Sequence, residues 1–344
     1  GANAPTSQSL NFSNAATNQR WLFLTEDNMQ TYSQEAVKAV MANLNKLIEN
    51  VKDLIATPHV GKTEETDINA VDESLANVVV EIETAKAGYT TPGEVTTAIS
   101  QLEMAFIAFL GEVTPESIEN PFDLTFLLVN PGLDSNSDGW STAATNTYSC
   151  CEFYETTFDF NQTTALKMPA GTYELRVQAF QRPGSASVTY TDFVTNNKDN
   201  VNAQIYLKTK NQKVKNIWAD AQSRSLGGST SNSGGKYVPN NMQAASKWFA
   251  AGWYDNSVVQ KTTTAATMKL GIRCTMSDSY YWTIFDNFRL YYYGNHTADD
   301  VTSVDFVESD TKDENNDYYD LLGRRVQKPK RGIHIHNGKK VLVK

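Results

Sequence analysis

The sequence predicts a multi-domain α + β protein: an N-terminal three-helix bundle, an antiparallel β-sandwich and a small C-terminal β-unit. Three observations support this prediction. Apolar residues recur at helical spacing over 31–111, short β-forming runs separated by turn residues follow over 122–294, and acidic residues then precede a last set of alternating strands. The expected units are an N-terminal extension (1–30), the bundle (31–112), the sandwich (120–295), and a linker with the small β-domain (296–344).

The apolar spacing predicts three helices in the first third of the chain. The first starts near residue 31 and ends at Thr57-Pro58, and the second runs from about Asp67 to Gly88. Thr91-Pro92 then supplies an N-cap followed by proline at the first helical position. Each helix carries one apolar face, so a packed bundle with solvated polar faces is favoured. The alternative is a surface that binds other cell-surface proteins.

Nine strands are predicted between residues 122 and 294. Turn residues separate them, and no helices alternate with them, which favours an antiparallel sandwich. In the last strand Phe288, Leu290 and Tyr292 are expected on one face, and Arg289, Tyr291 and Tyr293 on the other. The predicted strands cover 122–129, 152–160, 162–168, 172–181, 202–209, 213–218, 257–263, 267–274 and 281–293, with 113–117 as the linker before them.

The direction of the chain predicts where a binding site lies. If successive strands run antiparallel, the three longer connections, 182–201, 219–256 and 275–280, gather at one end of the sandwich. Binding residues are found disproportionately on such loops. The sequence therefore favours a site at this end.

The contents of these loops match the chemistry of a sugar. A sugar ring presents apolar C–H faces and a polar rim of hydroxyls, so exposed aromatic rings beside polar side chains complement it. Core packing stays open as the alternative for each aromatic residue. The predicted aromatic platforms are Trp248, Trp253, Tyr254 and Tyr280, with Arg182 and Asp192 as their polar partners.

Charge and hydropathy limit the partners. The chain has 344 residues and a formal net charge of −9, which argues against a nucleic-acid partner because phosphate binding requires a basic face. No stretch reaches the roughly 20 apolar residues of a membrane span. The first residues lack the basic start and apolar core of a signal peptide, so we expect a mature or trimmed chain.

The cysteines and histidines do not predict a metal site. Cys150 and Cys151 are adjacent, Cys274 is distant, and an odd count does not make a disulfide framework. One bridge from Cys274 and three buried free thiols are both open. His334 and His336 would share one strand face, where exposed histidines are favoured over a metal pair without a third ligand.

Several stretches resemble known extracellular modules. Strand-like segments lie at Phe158–Thr163, Pro169–Leu175 and Phe285–Leu290, and they are similar to strands of galactose-binding-like jelly-roll domains. The segment Val129–Leu133, with Gly139-Trp140 after it, is similar to the opening of carbohydrate-binding modules of that fold. An insert at Tyr237–Met242 with Ala251–Tyr254 resembles part of secreted proteins of anaerobic gut bacteria. The C-terminal stretch Tyr319–Arg324 with Gly332–Lys339 is similar to the sorting domains of secreted and surface proteins in that lineage.

This resemblance implies a secreted or cell-surface, non-catalytic sugar-binding protein with a structural Ca²⁺. The ion would lie between the opening loop and the closing strand, held by Asp134 and Asp286 through their oxygen atoms. Leu133-Asp134 stands where the family has Phe-Glu, which is a departure from its pattern. Alternatively, Asp286 accepts backbone hydrogen bonds, which also satisfy a buried carboxylate.

Three functions are weighed from the sequence. The first is non-catalytic binding of a polysaccharide or other glycan outside the cell. The second is a glycoside hydrolase or an accessory subunit of one, which needs two carboxylates roughly 5–10 Å apart. Asp192, Asp220 and Asp255 lie in the predicted loops, but the sequence singles out no pair of them. The third is a surface adhesion or scaffold protein.

Overall fold

A computed structural model describes residues 26–302 and five short strand segments beyond them, with side chains described over 34–302. It shows a mixed α/β protein with several β-sheets. Residues 1–25 of the expected N-terminal extension lie outside the described residues, and so do the side chains of His334 and His336.

The three long helices lie where the apolar spacing predicts them. Asp67 caps the second helix by accepting hydrogen bonds from the backbone of Asn69 and Ala70. Thr91 and Glu94 form a reciprocal capping box at the start of the third, with Pro92 in its first turn. Within the described residues, every helix is too short or too polar to cross a membrane. The α-helices are α1 (Glu26–Ala56), α2 (Ile68–Ala85), α3 (Pro92–Glu112), α4 (Ala186–Tyr190), α5 (Met242–Ala250) and α6 (Ala298–Thr302).

Between residues 122 and 294 the structure has thirteen strands, against the nine predicted. In chain order, they are β1 (His59–Gly61), β2 (Val113–Pro115), β3 (Phe122–Asp123), β4 (Thr145–Thr147), β5 (Cys150–Tyr154), β6 (Phe158–Thr163), β7 (Gly171–Pro183), β8 (Gln204–Leu207), β9 (Lys210–Lys213), β10 (Lys215–Asn216), β11 (Thr230–Ser233), β12 (Lys236–Pro239), β13 (Asp255–Thr262), β14 (Lys269–Cys274), β15 (Tyr281–Tyr292), β16 (Asp305–Phe306), β17 (Tyr318–Tyr319), β18 (Arg325–Val326), β19 (Gly332–His336) and β20 (Lys339–Val343).

Two sheets form the middle of the protein. The larger sheet has the order β10-β7-β15-β5-β4, with β13 also paired to β7 and β3 to β15. The smaller sheet has the order β6-β14-β8-β9. All of these pairs are antiparallel except β10 with β7, so the antiparallel prediction holds for most of the pairing. The C-terminal strands form a separate sheet of five.

The helices and the two sheets share one hydrophobic core. It contains Phe106 of α3, Leu175 of β7, Phe160 of β6 and Ile272 of β14. Phe288, Leu290 and Tyr292 are also buried in it, which confirms the predicted inward face of β15.

The segment predicted as a linker is part of this packing. Val113–Pro115 is buried and forms β2, which pairs antiparallel with β1. The Tyr292 hydroxyl donates hydrogen bonds to the carbonyls of Leu110 and Ala170, each at 3.0 Å. The helical region therefore packs directly against the larger sheet, and the linker prediction was wrong because the segment has a partner strand over 50 residues earlier in the chain.

Gly294, just after β15, permits this close contact. Its φ is +56°, and a Cβ at this position would lie 2.6 Å from Thr114 Cα. We expect Gly294→Ala to lower the free energy of unfolding by at least about 1–2 kcal/mol, the cost of a left-handed backbone for an L-residue, since the overlap with β2 adds to it. Chemical denaturation measures this. Gly88→Ala is the matched control, because nothing lies within 4 Å of a Cβ there. Equal stability of both variants and the wild type would contradict the contact.

Candidate functional site

One face of the larger sheet lies in the shared core. The opposite face, here called the outer face, carries polar side chains. Side chains alternate along a strand. Leu175, Val177 and Ala179 of β7 point into the shared core, so Gln178 points to the opposite face. Gln178 pairs in register with Asp255 of β13 on one side and with β15 on the other.

A β-bulge in β15 gathers three more polar groups beside Gln178. The register with β7 shifts between Asp286 and Arg289, and Asn287 has a φ of +54°. This turns the Asn287 amide to donate a 3.1 Å hydrogen bond to Gln178 Oε1. Arg289 forms an ion pair with Asp255. Bulges commonly redirect side chains next to functional sites, and here one brings side chains of three strands together.

These side chains form the floor of a cavity of about 820 Å³. We call it the Trp253 cavity. Its walls are the end of α5 with the turn that follows, and the loop 222–226. The volume lies within the range of small-molecule and sugar sites. It is lined by Gln178, Gln222, Ser223, Arg224, Leu226, Phe249, Ala250, Ala251, Gly252, Trp253, Asp255, Asn287 and Arg289.

Trp253 is held in the wall by the turn after α5. Its backbone N–H donates to the Trp248 carbonyl at 3.0 Å, and Gly252 before it has a φ of +84°. Gln178 Nε2 donates to the carbonyls of Phe249 at 2.6 Å and of Trp253 at 3.3 Å. The indole is half-buried against the core under α5. Its backbone is fixed from two sides, and the side chain still lines the cavity.

The described lining of the cavity has two positively charged side chains and one negatively charged side chain. Asp255 and Arg289 neutralise each other, with 34% and 19% of their side chains exposed, so solvent screens the pair only in part. Arg289 Nε is buried and has no hydrogen-bond partner among the described residues. Arg224 is exposed and contributes a second guanidinium.

Two predicted platforms are core side chains instead. Trp248 and Tyr254 are both 0% exposed and pack with Phe180 and Phe249 in a second hydrophobic cluster, between α5 and the outer face of the larger sheet. The Tyr254 hydroxyl donates to the Ile217 carbonyl at 2.6 Å, and burial raises its pKa well above the usual value. Neither ring offers a face to a ligand, so both predictions are corrected.

The other predicted residues lie away from the Trp253 cavity. The Arg182 guanidinium lies 5.2 Å from the centre of the Trp282 ring, and its Nη1 donates to Asn240 Oδ1 at 2.9 Å, just before α5 begins. Tyr280 is exposed in the loop next to this point, since Tyr281 pairs with Pro183. Parts of the three long connections therefore meet here. We call this area the Arg182 surface.

Asp192 lies neither in the Trp253 cavity nor on the Arg182 surface. It lies in a π-helical turn, Thr191–Thr195, and accepts a 2.8 Å hydrogen bond from Asn200 Nδ2. Its carboxylate is therefore tied to its own loop. The structure brings Arg182 and Tyr280 to one surface, Trp253 to another, and places α5 between them.

The two predicted calcium ligands lie close enough to interact. The pKa of Asp286 is raised to about 7, with burial as the largest cause and the negative charge of Asp134 as a second one, while the hydrogen bond from the Asn287 backbone and the charge of Arg289 lower it. Phe288 N–H donates to the Pro131 carbonyl at 2.9 Å, which joins the opening loop to the bulge. No three His, Cys, Asp or Glu side chains gather at a metal site in the part of the chain described. Ca²⁺ also takes carbonyl and amide oxygens.

The three cysteines are free, buried thiols. Burial raises the pKa of Cys151 to about 11 and also raises that of Cys150. Because the thiolate is the reactive form, Cys150 and Cys151 are inert packing groups near neutral pH.

Neither a scan against protein-family models nor a search of curated proteins found a match for the chain. The Trp253 cavity and the side chains that line it are the features of the described structure that point to a function.

Proposed function

We propose that the protein binds a carbohydrate without cleaving it, and that the Trp253 cavity is the binding site. The observation that carries the proposal is the juxtaposition, in a cavity of about 820 Å³, of one indole with two amides and an Arg–Asp pair. An indole packs on the apolar C–H face of a sugar ring. The amides of Gln178 and Asn287 both donate and accept hydrogen bonds, as hydroxyl groups require.

The number of carboxylates in the cavity favours binding over hydrolysis. A glycoside hydrolase needs two of them flanking the scissile bond. Among the described residues that line the Trp253 cavity, Asp255 is the one carboxylate, and Arg289 already pairs with it. Release of reducing sugar from any polysaccharide by the purified chain would move the conclusion to the hydrolase.

We further propose that the two sheets form a galactose-binding-like jelly roll, that the three long helices form an up-down-up bundle, and that the protein is secreted or lies at the cell surface. The common core of the sheets supports the first point, since three stretches that resemble that family lie in β6, β7 and β15. The exposed Val80 and Met104 on α2 and α3 favour an adhesion or scaffold role as the second candidate.

A glycan array probed with the full chain tests the proposal. We expect binding to at least one glycan on the array. The same glycan added free in solution should compete for that binding. An array without any bound glycan, repeated in calcium-containing buffer, would overturn the proposal.

We also propose a structural Ca²⁺ held by Asp134 and Asp286 at the junction of the opening loop and the bulge. Asp134 lies close enough to raise the pKa of Asp286, and a divalent cation held between the two carboxylates would remove their repulsion. When bound, the ion would tie the opening loop to β15. It would lie in the support of the site and would take no part in sugar chemistry.

The pKa of Asp286 predicts how this site responds to pH. Its folded pKa, about 7, lies above the ordinary value of 3.8, so without metal the folded state binds the extra proton. The contribution of this proton to the free energy of unfolding is fully present below about pH 4 and is lost as the pH rises through 7. In EDTA, Asp286→Asn should therefore gain stability relative to wild type between pH 4 and 7. With Ca²⁺, the wild-type melting temperature should rise most above pH 7, where the carboxylate is ionised.

The control for this prediction is Asp278→Asn, which removes an exposed carboxylate in the loop before β15. It should keep the wild-type response to Ca²⁺, whereas Asp286→Asn should lose it. An equal thermal shift in Asp286→Asn and in the wild type would show that Asp286 does not hold the metal.

A further inference from the structure

Arg224 is the cation of the Trp253 cavity that has no partner. It is exposed, and it has no hydrogen-bond or ion-pair partner in the part of the chain that the structure describes. The other guanidinium, that of Arg289, is committed to Asp255. The lining therefore carries one net positive charge, and that charge belongs to Arg224.

The loop that carries Arg224 is fixed at both ends. Gln222 exchanges two backbone hydrogen bonds with Tyr237, at 2.9 and 2.8 Å. On the other side, Gly228 lies so close to α5 that a Cβ on it would come within 2.7 Å of Ala244 N. Arg224 is thus held at the rim of the cavity by β12 and α5.

The positive charge of the cavity is opposite in sign to the net charge of the protein. The protein as a whole has a formal net charge of −9, so its average field repels anions. A cavity that presents a free guanidinium in such a protein discriminates in favour of a ligand with a negative group. The planar guanidinium matches a carboxylate with two parallel N–H···O hydrogen bonds.

We propose that the carbohydrate bound in the Trp253 cavity is an acidic saccharide, whose uronic-acid carboxylate is held by Arg224. This rests on the proposed function and names its ligand class. The sugar ring packs on Trp253, and its hydroxyls meet the amides of Gln178 and Asn287. The carboxylate faces the loop 222–226, opposite the floor of the cavity.

Titration calorimetry with matched sugars tests the assignment. The probes are oligomers of galacturonate, glucuronate and mannuronate, each beside its carboxyl-reduced counterpart, which has the same linkages and no charge. We expect at least one uronate oligomer to bind with a Kd at least about tenfold below that of its reduced counterpart. Binding of that oligomer should weaken as salt is raised, because part of it is electrostatic.

Two variants test whether Arg224 causes the preference for the charged sugar. Arg224→Gln should bring the ratio of the two Kd values towards one, and its melting temperature should stay at the wild-type value because the side chain is exposed. Lys236→Gln is the control: it removes an exposed cation of β12 that does not line the cavity, and it should keep the wild-type ratio.

The outcomes separate this inference from the proposed function. Equal binding of the charged and reduced sugars overturns the acidic ligand and leaves carbohydrate binding in place. A uronate preference that persists in Arg224→Gln overturns the assignment to Arg224. If no sugar of either set binds and the glycan array is also empty, the proposed function itself is wrong.

Discussion

Replacing Trp253 with alanine is expected to weaken binding of the protein's glycan by about tenfold or more, since truncating a central aromatic contact typically costs 2 kcal/mol or more. The indole lines the cavity beside Gln178. Its removal takes away the one aromatic side chain, among the described residues of the wall, that is open to a sugar ring, because Phe249 is buried. Calorimetry with the glycan identified on the array measures the change. Trp253→Phe, which keeps a ring, should lose less.

Tyr280→Ala is the matched control for this result. Tyr280 is 53% exposed and lies on the Arg182 surface, at the other end of α5. Its loss should leave the Kd of the glycan unchanged. If Tyr280→Ala weakens binding and Trp253→Ala does not, the sugar binds at the Arg182 surface, where the direction of the chain first predicted a site.

Trp248→Ala is expected to lower the free energy of unfolding by about 3–5 kcal/mol, the usual cost of removing a fully buried aromatic side chain. Trp248 is 0% exposed and fills the space between α5 and the outer face of the larger sheet. Urea denaturation followed by circular dichroism measures the loss.

Trp248→Phe separates packing from hydrogen bonding. Trp248 Nε1 is buried without a hydrogen-bond partner among the described residues, so phenylalanine sacrifices volume but no hydrogen bond. We expect a clearly smaller loss than for alanine. A Trp248→Ala variant that unfolds at the wild-type urea concentration would mean that the indole is not a core side chain.

Local sequence signals were sufficient for the helices and for the two central strands. The apolar spacing of α1, α2 and α3 and the caps at Asp67 and Thr91 are properties of neighbouring residues. The same holds for the alternation after Asn287, which placed Phe288, Leu290 and Tyr292 in the core. Signals of this kind need no knowledge of the partner.

What the sequence did not reveal depends on contacts between distant segments. The run predicted as a strand over 122–129 is a strand only at Phe122–Asp123. A 3₁₀ turn at Thr125–Leu127 follows it, and Phe126 there packs against Phe106 of α3. Val113–Pro115 was predicted as a linker because nothing local indicates that β1 pairs with it.

The candidate site was only partly predictable for the same reason. Trp253 was found from its residue type, but Gln178, Asn287 and Arg289 meet through a bulge whose position depends on the register of β7 with β15. Trp248 and Tyr254 were misplaced because α5 covers the outer face of the sheet, and its apolar side becomes core. Asparagine tolerates the positive φ found at residue 287, but an asparagine in a sequence does not by itself predict a bulge.

A crystal structure of the protein soaked with the glycan found on the array tests the central claim most directly. We predict density for a sugar ring against Trp253, with ring carbons at van der Waals distance, about 4 Å, and hydroxyls within hydrogen-bond reach of Gln178 and Asn287. Density for the sugar at the Arg182 surface, with the Trp253 cavity filled by solvent, would contradict the account.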